Sequence, residues 1–190
     1  LGYKPDFSVY DDDDQSNLIR HILRELNIYE ALYKGVVSRI SMLKAQLITP
    51  EDFLAKGDGF SFDEKLGRAY LKYQHELKRA NALDFDDLIM LTVKLLEENP
   101  KILKKYTDSF EYLLVDEFQD TNRAQYRLMQ LLASAHNNMS VVGDDDQSIY
   151  YFRGADVSNI LNFEQDYPDA KVIKLEQNYR STQRILAASG

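Results

Sequence analysis

An α/β fold, helical through its first half and assembled from alternating short strands and helices beyond, is predicted from three observations. Apolar residues recur at helical spacing as far as about residue 108. From about Phe110 onward, short apolar runs that end in acidic or polar residues alternate with helical stretches. The hydrophobic fraction, 44% of 190 residues, is enough to fill a core. The expected division is a helical subdomain, 1–108, followed by a sheet-bearing part, 109–190.

The elements of the first half follow from stripe and cap. Asp14 is expected to cap a helix carrying Leu18, Ile19, Ile22, Leu23 and Leu26, with Asn27 as its stop. A second stripe, Tyr29, Leu32, Tyr33, Val36, Val37, Ile40, Leu43 and Leu47, ends before Thr49-Pro50-Glu51-Asp52. There Thr49 caps, and Pro50, which has no N–H to leave unpaired, takes the first helical position. This short helix reaches Lys56 and is closed by Gly57 and Gly59. Ser61, Phe62, Asp63 and Glu64 have capping-box spacing, and Phe62, Leu66, Tyr70, Tyr73 and Leu77 share one face of the long helix behind them. Asp84 opens another helix, with Phe85, Leu88, Ile89, Thr92 and Leu95 or Leu96 turned inward, and Asn99-Pro100 stops it.

In the second half, Tyr112–Val115, Met139–Gly143 and Lys171–Leu175 read as buried parallel strands. Between them Thr121 is expected to cap a helix through Leu128, Leu131, Leu132 and Ala135, and Asp156 to begin one through Ile160, Leu161 and Phe163. Strand, helix, strand, helix, strand is an α/β unit.

Composition excludes several function classes. No run of about 18 apolar residues and no signal-peptide layout is present, so a soluble, cytoplasmic chain without membrane attachment is expected. With no cysteine there is neither a disulfide framework nor a Cys-ligated metal. A net charge of −8 offers no broad basic face for nucleic acid, so any polyanion contact must be local. His21, His75 and His136 lack metal-ligand spacing, and Lys101, Lys104 and Lys105 suit a solvated helix face.

Ligands of parallel α/β sheets collect beyond the carboxyl ends of the strands. Asp116-Glu117, Gly143-Asp144 and Gln177-Asn178-Tyr179-Arg180 all fall there, and the three ends are expected to converge on one edge. Two adjacent acids after a strand suit nucleoside triphosphate hydrolysis, one holding Mg²⁺ and the other orienting or deprotonating water. The competing structural role is an acid pair capping the following helix.

Three ordered blocks decide between these readings: Asp116-Glu117-Phe118-Gln119-Asp120-Thr121-Asn122, the run from Val142 through Asp144, Gln147, Tyr150 and Phe152 to Ala155, and Leu175-Glu176-Gln177-Asn178-Tyr179-Arg180-Ser181-Thr182. They resemble motifs II, III and IV of superfamily 1 DNA helicases of the UvrD, Rep and PcrA type, and Leu83-Asp84-Phe85-Asp86-Asp87-Leu88-Ile89 resembles a helix that precedes motif II there. The resemblance covers essentially the whole chain. It implies a helical subdomain of the 1B type followed by an incomplete RecA-like (P-loop NTPase type) parallel sheet lacking the phosphate-loop strand.

By the same resemblance Asp116 binds Mg²⁺, Glu117 is the base toward the hydrolytic water, Gln147 senses the γ-phosphate, Arg180 contacts it, and Tyr179 stacks on the adenine of ATP. Tyr150, Phe152 and Arg153 would grip single-stranded DNA, since rings beside a guanidinium hold bases without sequence preference. The family position matched by Phe152 is expected to hold tryptophan, which this chain lacks. Phe85 is a further DNA candidate, although its helical phase argues for core.

No Gly-x-x-x-x-Gly-Lys-Ser/Thr loop occurs in the sequence. The expectation is therefore a segment of an ATP-dependent DNA helicase, a hydrolase of DNA repair and replication that acts, by family inference, 3′ to 5′ on single strands and duplex junctions. Alone, the segment is expected to be inactive and to self-associate through exposed sheet edges. The alternatives are a non-enzymatic single-strand or protein interaction domain and metal-dependent phosphodiester cleavage by Asp116, Asp144, Asp145 and Asp146.

Overall fold

The computed structural model describes residues 1–56, 62–149 and 154–189. Helix α1, Asp12–Glu25, starts at Asp11, whose carboxylate accepts the N–H groups of Asp13 and Asp14. Asp14, the expected cap, is instead the third helical residue and returns a bond to the Asp11 N–H. The helix begins one turn earlier because the acidic run carries its own capping box, which suits the positive end of the helix dipole. Asn27 does end it, at φ +53°.

Helix α2, Tyr33–Ala45, closes in the same way but at Leu47, φ +60°. The Leu47 N–H bonds the Lys44 carbonyl and the Ile48 N–H bonds that of Leu43, a Schellman ending built on a residue that ordinarily avoids it. Packing of the half-buried Leu47 side chain against Val93, Leu96 and Leu131 offsets the strain. Helix α3, Pro50–Lys56, begins at Thr49 as expected, with the Asp52 N–H on the Thr49 hydroxyl. Gly57, Gly59 and Ser61 lie outside the described residues. Helix α4, Phe62–Arg79, turns Leu66, Tyr70, Tyr73 and Leu77 into the principal core, beside Ile19, Ile22 and Leu23 of α1 and Val36, Ile40 and Leu43 of α2.

Two short strands, β1, Ser8–Tyr10, and β2, Ala82–Asp84, pair in parallel, with Tyr10 opposite Asp84. Helix α5, Phe85–Glu98, follows, with Asp84 as its cap in a reciprocal pair with Asp87. Its fully buried face is Asp87, Met90, Val93 and Leu96; of the residues expected inward, Leu96 is buried, Leu88, Ile89, Thr92 and Leu95 are half-buried, and Phe85 is exposed. An ion pair overrides the hydrophobic stripe. Lys44, wholly buried, places its ammonium 2.6 Å from Asp84 and 2.9 Å from Asp87, which draws the acidic side of the helix inward. Tyr73 donates its hydroxyl proton to Asp84, and Gln74 its amide proton to Asp87. Burial raises the Asp87 carboxyl above its usual range, with Lys44 opposing.

Helix α6, Pro100–Thr107, leads into the second sheet: β3, Leu113–Val115, parallel to β4, Met139–Val141, with helix α7, Arg123–Ala133, between them. The cap of α7 is Asn122, not Thr121, because the Asn122 amide and Gln125 satisfy each other's backbone N–H groups while the Thr121 hydroxyl bonds back to the Phe118 carbonyl. Val93 and Leu96 of α5 and Leu131 of α7 form a second core, which joins residues on both sides of the division expected at 108.

The expectation of three buried strands is corrected. Leu114 is 81% exposed, and Lys171–Leu175 forms no strand, with Ile173 69% and Leu175 82% exposed. An extended run becomes a strand only against a hydrogen-bonding neighbour, and this one has none among the described residues. Helices α8, Ser158–Leu161, α9, Phe163–Asp166, and α10, Gln183–Ser189, complete the chain. Among the described residues no helix is long and apolar enough to cross a membrane.

Candidate functional site

The acid pair sits on a turn tied down from beneath. Phe118 is fully buried, edge-on to Tyr126 of α7 and Phe163 of α9, with ring centroids 5.6 and 5.5 Å apart. Its N–H continues the ladder onto the Val142 carbonyl at 2.9 Å, so the turn after β3 is stitched to the end of β4. With Phe118 anchored, Glu117 is forced into the left-handed region at φ +49°, a conformation that glutamate tolerates only where its surroundings impose it. Asp116 and Glu117 are left exposed, and the Asp116 carboxylate accepts the Glu117 N–H.

Gln119 connects this turn to the next strand end. Its side chain is buried, donating to the Glu117 carboxylate at 2.8 Å and accepting the Asp144 N–H at 3.0 Å. The backbone of β4 comes this close because residue 143 is glycine: a Cβ there would stand 2.7 Å from the Gln119 amide oxygen. Asp144 in turn accepts the Asp146 N–H on one carboxylate oxygen and the Gln147 amide, at 2.6 Å, on the other. An unbroken hydrogen-bonded path thus runs Glu117, Gln119, Asp144, Gln147.

Of the three segments expected to share one edge, hydrogen bonds join two. Tyr179 is 86% exposed, and Arg180 lies in the Asn178 turn, where the Asn178 side chain accepts the N–H groups of Arg180 and Ser181. Among the described residues no hydrogen bond or ion pair ties the Arg180 guanidinium to Asp116, Glu117 or Gln147. Tyr150, Phe152 and Arg153 lie outside the described residues. Phe85, for which helical phase argued core, is 58% exposed at the first turn of α5.

The chain matches the UvrD/REP helicase N-terminal domain over residues 1–168. It belongs to that family. Among curated relatives, the ATP-dependent DNA helicase PcrA of Bacillus subtilis strain 168 is 48% identical over the whole of this chain and 26% of its own length. PcrA of Leuconostoc citreum is 46% identical over the whole chain and 25% of its length, and that of Staphylococcus aureus strain Mu50 47% over 26%. The chain thus spans about a quarter of the length of the curated relatives it matches. As a UvrD/REP chain of mixed α/β build with short parallel sheets, it is consistent with part of a RecA-like helicase domain.

The donor set suits Mg²⁺ in one manner only. Among the described residues no three His, Asp or Glu side chains stand together as a metal cage. Asp116 is a single exposed carboxylate with one oxygen occupied by the Glu117 N–H. Mg²⁺ is commonly held by one or two carboxylates with water and substrate phosphates completing its shell, which fits such a residue. The Asp144 carboxylate, engaged by Asp146 and Gln147, gives the phosphodiester-cleavage alternative no support.

Sequence reasoning in this UvrD/REP chain assigned no part to Gln119, although a polar residue two positions after an acid pair, followed downstream by Gly143-Asp144, was the available signal. It also missed the Lys44, Asp84 and Asp87 cluster behind Phe85, whose partners lie 40 or more residues apart.

Proposed function

We propose that this chain is the segment of an ATP-dependent DNA helicase that places the hydrolytic carboxylate and reports nucleotide state to DNA. The observation that carries this reading is the hydrogen-bonded path from Glu117 through Gln119 and Asp144 to Gln147. Asp116 holds the Mg²⁺ of the nucleotide, which when bound neutralises phosphate charge. Glu117, held off the strand by its left-handed backbone, accepts a proton from the attacking water. Gln147, at the far end of the path, meets the γ-phosphate, Arg180 offers its guanidinium to the charge that develops there, and Tyr179 stacks on adenine. Phe85, Tyr150 and Phe152 stack on bases and Arg153 pairs with the backbone of a single strand, and hydrolysis drives 3′ to 5′ translocation and unwinding at duplex junctions.

Under this reading the protein works in the cytoplasm in DNA repair or replication. The isolated segment turns over no ATP, because no phosphate loop positions the triphosphate for in-line attack. Its exposed sheet edges drive self-association. The test is DNA-stimulated ATP hydrolysis by the parent polypeptide and by its Glu117→Gln variant. A loss of about a hundredfold or more is expected for a general base. Turnover equal to the unsubstituted protein would remove the assignment.

A further inference from the structure

The geometry points to Gln119 as a positioning residue that couples the Glu117 carboxylate to the Asp144–Gln147 turn, so that displacement of that turn moves the base. Three features carry this. Gln119 is 1% exposed, and its side-chain amide is divided between the two turns, the N–H going to Glu117 in its own turn and the oxygen to the Asp144 N–H across from it. Both ends of the amide are used in their proper sense, N–H toward a carboxylate and oxygen toward a backbone N–H, an arrangement that neither glutamate nor methionine reproduces. The approach also requires glycine at 143, where a Cβ would press to 2.7 Å of the Gln119 oxygen and 2.9 Å of the Ile160 side chain.

The path has no slack. Glu117 to Gln119 is 2.8 Å, Gln119 to the Asp144 N–H is 3.0 Å, and Asp144 to Gln147 is 2.6 Å. The Ser148 hydroxyl adds a weaker bond, 3.4 Å, to the Gln119 carbonyl, so the turn is held to Gln119 by backbone as well as side chain. A shift of an ångström at Asp144 therefore either drags Glu117 or breaks a part-buried hydrogen bond to Gln119. A displacement of that size at a reacting group costs about a hundredfold in rate.

This inference rests on the reading of Glu117 as base, and the experiment separates the two. In the parent polypeptide with saturating single-stranded DNA, Gln119→Met keeps the side-chain volume and removes both bonds. The expected result is a fall in kcat of about tenfold or more with KM for ATP within about twofold. In a Gln147→Ala background the same substitution is expected to cost no more than about twofold further, because both act on one path. Gln119→Met turnover within twofold of the unsubstituted protein, or losses that multiply in the double variant, would overturn the coupling. Glu117→Gln measured alongside reports the base: full turnover in that variant sinks the parent reading whatever Gln119 does, whereas its loss with Gln119→Met unaffected sinks only this inference. If Gln119→Met does not fold by circular dichroism, Gly143→Ala serves instead. The same kcat-selective loss there supports the coupling, and unchanged kcat overturns it.

Discussion

Lys44 shows how a single side chain redirects its surroundings. An ammonium with no exposed surface faces two carboxylates, and Asp86, bonded by Ser41, stands beside them. One cation among three acids leaves excess negative charge in a dry place. Burial raises the Asp86 carboxyl above its ordinary value; the Ser41 hydrogen bond opposes this and the charge of Asp84 reinforces it. A carboxyl whose folded pKa is raised binds its proton more tightly when folded, so its contribution to stability is full below the unfolded value and is lost as pH rises through the folded one. Asp86→Asn is therefore expected to melt higher than the unsubstituted chain at pH 7, with the difference vanishing near pH 3, where both side chains are neutral. Thermal melts across that range decide it; an equal difference at both ends would mean that ionisation of Asp86 is not responsible.

Among the elements, local pattern and observed structure agree where the cause is local. The Thr49-Pro50 start of α3 and the Leu66, Tyr70, Tyr73 and Leu77 face of α4 were legible because cap chemistry and a 3.6-residue period act within a few residues. The α5 phase was not, because Lys44 reaches Asp84 and Asp87 from a helix 40 residues earlier. The pairing of β1 with β2 was equally hidden, since Ser8–Tyr10 is three residues long and its partner is more than 70 residues downstream. At the site, the acid turn and the Asp144–Gln147 turn were legible as strand ends, whereas the bridge between them depends on Gln119 being buried, which only packing reveals. Helix pairs also set limits that sequence hides. A Cβ at Gly67 on α4 would stand 2.4 Å from one Leu54 methyl carbon on α3. Gly67→Ala is expected to destabilise the chain by about 1–3 kcal/mol through overpacking, despite the better helix propensity of alanine. Urea unfolding measures it, and a gain in stability would show that α3 yields freely.

At the scale of the whole molecule, apolar burial is uneven. The helical part buries most of its large side chains in the principal core and, with α7, in the second, while the sheet and its flanks leave Tyr112, Leu114 and Val142 exposed, and Ile173 and Leu175 lie bare on the strandless run. Such surface beside open strand edges favours association over solvation. Light scattering of the isolated chain is expected to give a mass above 22.1 kDa that rises with concentration, and Leu114→Lys to shift it toward the monomer. A concentration-independent monomer before substitution would contradict this. The net charge of −8 works in the other direction, through mutual repulsion, so added salt should promote the association by screening.

Asp84 ends a strand, caps a helix, accepts a tyrosine proton and neutralises Lys44 all at once, and Phe85 is the next residue. The bearing of that outward-facing ring is consequently dictated from the dry side of the protein. If that ring stacks on a base as proposed, substitutions of the buried Lys44 and Tyr73 are expected to weaken strand capture as substitution of Phe85 itself does.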